Sequence, residues 1–335
     1  ENQTKASGEF KPCGVCGKTA GYGRSSVQDH QTKGDEPFQA LIARQIEVQP
    51  PTRPYSNFAP LRGRKVLAFS DSRQVAARLA PNLQKYALRD VIRPLIVRGW
   101  SELSAIPGFG RQLNLDHLTL AALVGAKRLR VRLRPELSQN ESMQGLTEVA
   151  RALDAGALDG NEEARMELVA IQLRPPESLL KAIHTTLTDR YYGLAPLGLA
   201  SLRERTSMHQ ELVDSLPSIS GVADTDEKKV ALIRLWIAQW CTPSQGIRFL
   251  NMPDAWRGVK GGVRSHSGSF KPMGRWLEST GSKQFAKEWL PSLRERLCER
   301  AGNKYFLLAS RIALELGGEW GYCERCRFTQ RPFPG

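Results

Sequence analysis

Arg64-Lys65-Val66-Leu67-Ala68-Phe69-Ser70-Asp71-Ser72-Arg73-Gln74 carries the clearest local signal in this chain of 335 residues. Two cations lead into four apolar residues, the length of a short buried strand. Ser70, Asp71 and Ser72 then offer side-chain oxygens to cap a helix. From Arg73 to Leu88 the apolar residues Val75, Ala76, Leu79, Leu83 and Ala87 recur at helical spacing, with Pro81 as a kink. A buried strand that feeds a capped helix is one unit of a parallel α/β sheet. A second helix is predicted over Leu88–Trp100, on Val91, Ile92, Leu95 and Ile96, with Pro94 as a break point.

Upstream, residues 1–63 are rich in Gly, Pro, Gln and Thr, with one helical candidate at Pro37–Val48. Gln49-Pro50-Pro51-Thr52-Arg53-Pro54 reads as a stiff extended linker. Downstream of about residue 101 no further buried strand of this kind is predicted, and the pattern turns helical. The candidates are Asp116–Gly125, Met143–Ala155, Asn161–Leu173, Pro176–Tyr192, Gly198–Leu216, Asp226–Cys241, Lys283–Arg300 and Asn303–Leu316. The expected fold class is therefore α/β plus mostly α.

Charge points to the partner. Lys and Arg number 48 against 34 Asp and Glu, a formal net charge of +14. Such an excess favours a polyanion, either nucleic acid or an anionic membrane. No run reaches the roughly 18 apolar residues of a membrane span, and Glu1–Gly17 is too polar for a signal peptide. The expected partner is nucleic acid, DNA before RNA, and the expected location is the cytoplasm.

Four of the six cysteines form two C-x-x-C pairs, Cys13/Cys16 and Cys323/Cys326. Two-residue spacing lets both thiolates face one ion, and zinc takes four such ligands in a tetrahedron. A disulfide is disfavoured without a secretory signal, and a redox pair needs a strand-to-helix setting that neither has. Structural zinc is the expectation. Either the pairs share one ion and tie distant parts of the chain together, or each is half of a separate ribbon. Cys241 and Cys298 fall in helical patterns and read as small buried hydrophobes.

Two stretches are conspicuously basic. In Lys127–Arg134, Arg128, Arg130, Arg132 and Arg134 alternate with Leu129, Val131 and Leu133, as on a strand with one cationic face. Such a strand either tracks phosphates or blocks edge pairing with its charges. The second, Arg257–Arg275, holds Arg257, Lys260, Arg264, Lys271 and Arg275, no acid and five glycines. It reads as a flexible phosphate clamp or as a merely exposed loop. Catalytic motifs are missing: there is no G-x-x-x-x-G-K-[ST], no G-x-S-x-G, and no H-x-x-x-H spacing among His30, His117, His184, His209 and His266.

The stretch from Lys65 to Ala80 resembles the start of the second RecA-like domain of superfamily 2 helicases, where an apolar strand ending in Phe precedes Ser-x-x-Arg and an Ala-rich helix. The wording Phe69-Ser70-Asp71-Ser72-Arg73-Gln74 is similar to a subgroup of large prokaryotic DEAD/DEAH-type helicases found in anti-phage defence islands. The two cysteine pairs also look like that subgroup. The strong resemblance covers about residues 60–100. It implies that Ser70, Ser72 and Arg73 face nucleic-acid phosphates, which fits the anion affinity of a helix N-terminus. It also implies ATP and magnesium bound by a phosphate loop and an Asp-Glu box. This chain has neither, so those cofactors are expected in the parent protein only, and the chain reads as a piece of a longer polypeptide.

The expected organisation is a zinc-knuckle half and Pro-rich linker over 1–60, and the RecA-like start over 61–105. A basic helical insertion then covers 106–318, with the second knuckle at 319–335. The expected function is a fragment of an ATP-dependent nucleic-acid helicase or translocase that contributes phosphate contacts through Ser70, Ser72, Arg73, Arg128, Arg130, Arg132, Arg257, Lys260, Arg264 and Lys271. The alternative is a zinc-stabilised nucleic-acid-binding or helical interaction module without catalysis.

Overall fold

The structure is a computed structural model. It describes residues 41–42, 44–46, 48–50, 64, 90–131, 145–189, 192–241, 246–253, 256, 263–270, 277, 279–317, 321–322 and 329–330. These fall into two compact units, one within residues 25–91 and the other from Ile92 onward. In the first, residues 41–42, 44–46 and 48 are helical, in keeping with the helix expected at Pro37–Val48. The strand and helix expected over Val66–Leu88 lie outside the described residues, as do Ser70, Ser72 and Arg73.

The larger unit is built on two crossing helices. Residues 90–104 form α1, which buries Ile92, Leu95, Ile96, Trp100 and Leu103 at helical spacing. The helix runs through Pro94, where the sequence reading placed a break; burial of this face outweighs the missing donor. Helix α2, Leu118–Arg128, is apolar all round and every residue from Leu118 to Ala126 is buried. A capping box precedes it. Asn114 accepts from the Asp116 N–H at 3.0 Å, and His117 Nδ1 accepts from the Asn114 N–H at 3.2 Å. Two glycines let α1 and α2 touch backbone to backbone. A Cβ on Gly99 would lie 1.7 Å from the Ala121 carbonyl oxygen, and one on Gly125 would lie 2.0 Å from that of Leu95. No larger residue fits either position without parting the helices.

Three further helices follow the sequence reading closely: α3 Leu146–Asp154, α4 Glu162–Ala170 and α5 Glu177–Thr188. Asn161 caps α4 by accepting from the Ala164 N–H at 3.2 Å. Helix α7, Asp226–Ala238, starts at Thr225, which accepts from the Lys228 N–H at 3.4 Å, with Asp226 and Glu227 in its first turn.

Three expected helices are corrected. Gly198–Leu216 contains strand β1, Ala200–Glu204, ahead of the short helix α6, His209–Asp214. Asn303–Leu316 contains no α-helix but two strands, β4 Lys304–Leu308 and β5 Ile312–Leu316, joined by a 3-10 turn. In Lys283–Arg300 the helix ends at Leu297 and Cys298–Ala301 is strand β3. Helix α8, Ser279–Gln284, passes through a π turn, Phe285–Trp289, into α9, Leu290–Leu297. The widened turn sits just before Pro291, whose ring clashes with the carbonyl four residues back in a regular helix.

The strands make small sheets. β1 pairs antiparallel with β5, from Ala200↔Leu316 to Glu204↔Ile312, and α7 packs on β1. A three-stranded sheet has the order β2–β4–β3, with β2 (Ile247–Arg248) parallel to β4 and β3 antiparallel to it. β6 (Gly321–Tyr322) pairs antiparallel with β7 (Thr329–Gln330), and Cys323 and Cys326 lie between them in sequence. The described residues are thus mixed α/β, with more strand than the expected helical insertion. No helix among them is long and apolar enough to cross a membrane.

Candidate nucleic-acid interface

Residues 263–270, Val-Arg-Ser-His-Ser-Gly-Ser-Phe, lie inside the basic stretch Arg257–Arg275. The segment is tied to the sheet at several points. The Arg264 carbonyl accepts from the Gly246 N–H at 2.9 Å. His266 and Tyr305 of β4 exchange both backbone hydrogen bonds, at 2.8 and 2.9 Å. The Trp236 indole N–H donates to the Gly268 carbonyl at 2.8 Å, and the Gly268 N–H donates to His266 Nδ1 at 2.9 Å. Gly268 has φ +73°, and a Cβ there would press on Trp240 and Trp236 at 3.2 and 3.3 Å, so the turn needs glycine.

This anchoring fixes a cluster of rings and cations. The imidazole of His266 stacks on the Phe270 ring with centroids 4.6 Å apart and planes 7° apart. Trp240, fully buried, meets both rings edge-on. His266 and Phe270 are half-buried, while Arg264 and Lys304 are exposed. Neither cation has an ion pair among the described residues. Arg294 is committed elsewhere: its Nε donates to the Ser267 carbonyl at 2.8 Å and its guanidinium lies 4.8 Å above the Tyr305 ring. Burial, then Lys304 and Arg294, push the His266 pKa below its usual value. The ring is therefore neutral near pH 7 and sits in a positive field.

A second polar cluster is closed. Glu204, at the end of β1, has no exposed surface. Its Oε1 accepts from His209 Nδ1 at 2.6 Å, with Arg203 at 3.8 Å, and its Oε2 lies 3.6 Å from the Arg234 Nε. Arg234 also pairs with Glu315 of β5 at 3.1 Å. Burial pushes the Glu204 carboxyl up, but His209, Arg234, its own backbone and Arg203 outweigh that and hold it below the usual range. These charges are spent on one another.

The expected site residues fare unequally. Arg128 ends helix α2 instead of lying on a strand, and it is taken up by Asp159 at 2.8 Å, the Leu158 carbonyl at 3.3 Å and Glu102. Arg130 has φ 53°, which breaks the alternation expected of Lys127–Arg134; it lines an open pocket of about 500 Å³ with Leu123, Val149 and Leu153. Arg264 alone of the described candidates belongs to the ring-and-cation cluster. Arg132, Arg257, Lys260 and Lys271 lie outside the described residues, as do Cys13, Cys16, Cys323 and Cys326. Among the described residues no group of three or more His, Cys, Asp or Glu is placed to hold a metal ion.

Over 100 residues the chain is 41% identical to Druantia protein DruE of Escherichia coli (strain UMEA 4076-1). The matched stretch is 29% of this chain and 5% of the length of that protein. No family model matches the chain, and no solved structure matches it.

His266, Phe270 and Lys304 were not singled out by the sequence as site residues. Arg264, His266 and Phe270 stand in one acid-free stretch, so a basic segment with interleaved aromatics was legible there. Lys304 enters only through the pairing of β4 with His266.

Neither described cysteine lies in a helix, since Cys298 opens β3 and Cys241 follows the end of α7; Cys298 is buried as read and Cys241 is half-buried. Burial raises the Cys298 thiol pKa and pushes that of Cys241 up to about 12, which disfavours the reactive thiolate at both.

Proposed function

We propose that this chain contributes phosphate-backbone contacts to an ATP-dependent superfamily 2 nucleic-acid helicase or translocase that serves phage defence. The observation that carries the reading is the pair of open cations, Arg264 and Lys304, beside half-buried rings and with no acid among the described residues to neutralise them. The defence setting draws support from the 100-residue similarity to DruE, a protein of the Druantia phage-defence system, and from the wording of Phe69–Gln74. The chain has no phosphate loop, so ATP turnover belongs to the rest of the parent protein. Cys13, Cys16, Cys323 and Cys326 are proposed as ligands of structural zinc, and metal analysis of the wild type and of Cys323→Ser tests that assignment.

The test of the main reading is the salt dependence of duplex binding by the full chain. Each phosphate contact adds about 0.9 to the slope of log K against log salt. Arg264→Ala with Lys304→Ala should flatten the slope by about 1.8 across all sequences. Lys181→Ala with Lys287→Ala, two exposed cations on helical surfaces, should change it little. Equal changes in the two double variants would reject the interface.

A further inference from the structure

We propose that the stacked His266–Phe270 pair seats an unpaired nucleobase, with Arg264 and Lys304 taking flanking phosphates. This rests on the nucleic-acid reading of the same surface and adds to it a ligand form, a strand whose bases are free to stack.

The rings are prearranged for a flat ligand. Their 7° interplanar angle and 4.6 Å separation make a parallel stack. Trp240 holds that stack from the core side, edge-on to His266 at 6.0 Å and to Phe270 at 5.4 Å. The backbone beneath is fixed by the His266–Tyr305 bonds and by the Trp236 bond to Gly268, so little ordering is left for a ligand to impose.

The imidazole also has a defined tautomer. Its Nδ1 accepts from the Gly268 N–H, so the neutral ring carries its proton on Nε2. That N–H has no acceptor among the described residues and can donate to a base carbonyl or a phosphate. A positive field around a neutral aromatic pair selects a ligand that is both flat and anionic. A nucleotide is both. Bases inside a duplex are already stacked and show only their edges in the grooves, so the seat requires an unpaired base.

The experiment compares three ligands on the full chain by fluorescence anisotropy: a single strand of about 12 nucleotides, an abasic strand with the same phosphates, and a duplex of the same length. Stacking of one base predicts that the abasic strand binds about tenfold more weakly than the base-bearing strand, with the same salt slope. Phe270→Ala should lower the base-bearing strand to the abasic level and leave the abasic strand unchanged, while Phe270→Tyr should keep the preference. The abasic comparison on the unaltered protein needs no variant to fold. Equal binding of the two strands with the salt slope intact overturns the base seat and leaves the phosphate reading standing. A duplex that binds as tightly as the base-bearing strand also overturns it. Absence of salt-dependent binding to every ligand overturns the nucleic-acid reading itself.

Discussion

The β1–β5 ribbon and the place where residues 263–270 meet the β2–β4–β3 sheet treat charge in opposite ways. At the ribbon, Glu204 is sealed from water and matched by His209, Arg234 and Arg203. At the sheet, Arg264 and Lys304 stand exposed beside a ring stack with no acid partner among the described residues. The net charge of +14 does not distinguish the two. What separates them is whether each cation has met a carboxylate. Arg128 has, through Asp159 and Glu102, and so a cation that looked like a phosphate ligand is a tie between α2 and the turn before α4. Only cations left unmatched by the fold remain for a polyanion.

The largest expected effect breaks the closed region. Arg234→Ala leaves Glu204 buried with too little positive charge, and should cost about 3 kcal/mol in urea unfolding. The open region predicts the reverse: Arg264→Ala should leave the unfolding midpoint within about 0.5 kcal/mol of wild type. A large loss for Arg264→Ala would erase the contrast.

Slightly smaller is the acid sensitivity of a second buried group. His184 sits against Trp256 and Phe249, and burial lowers its pKa from 6.5 to about 4. Between those values the unfolded chain binds a proton that the native state does not. Stability therefore falls as pH drops from 6.5 to 4, by about 3 kcal/mol in all. The depressed Glu204 carboxyl adds a further loss below about pH 4.5, since its stabilisation exists only while it is ionised. His184→Phe should shrink the limb between pH 6.5 and 4 to the part owed to the depressed His117 and His266, and keep the lower one. A full-sized upper limb in that variant would reject the assignment.

The smallest effect sharpens the comparison at the two histidines. A bound oligonucleotide brings phosphate to the rim and should raise the His266 pKa from its depressed position, with no change at His184. Imidazole NMR titration with and without the oligonucleotide measures both. Equal shifts at the two sites would mean that binding changes the whole fold rather than the rim.

Much of the helical part was legible before the structure. Asn161 caps the helix it was read to start, the helix read from Asp226 begins there, and α3, α5 and α7 lie within the predicted spans. The strands were not, for an identifiable reason. Tyr305–Ala309 and Ile312–Leu314 are short, nearly continuous apolar runs, and such runs fit a buried strand or a buried helix equally well. One turn ahead of them was visible. Gly302-Asn303, with Gly302 at φ 64°, turns β3 into β4, and Gly-Asn between two extended segments is a hairpin signal. At Lys127–Arg134 the alternation of Arg with Leu and Val was real, but the buried run Leu118–Ala126 carried helix α2 on to Arg128.

The sequence by itself determined the surplus of positive charge, the segments that can cap and sustain a helix, and the acid-free stretch that holds Arg264, His266 and Phe270. These follow from composition and from interactions within a few residues, which are local. Tertiary structure decided which charges stay available and which apolar runs become strands. Ala200–Glu204 extends because Ile312–Leu316 supplies its backbone partners more than 100 residues away. Glu204 can be buried because Arg234 reaches it from another element, and Lys304 meets His266 because β4 pairs with a loop 39 residues before it in the chain. A hydrogen bond or an ion pair between distant segments leaves no periodicity in either one, so only the folded chain records it.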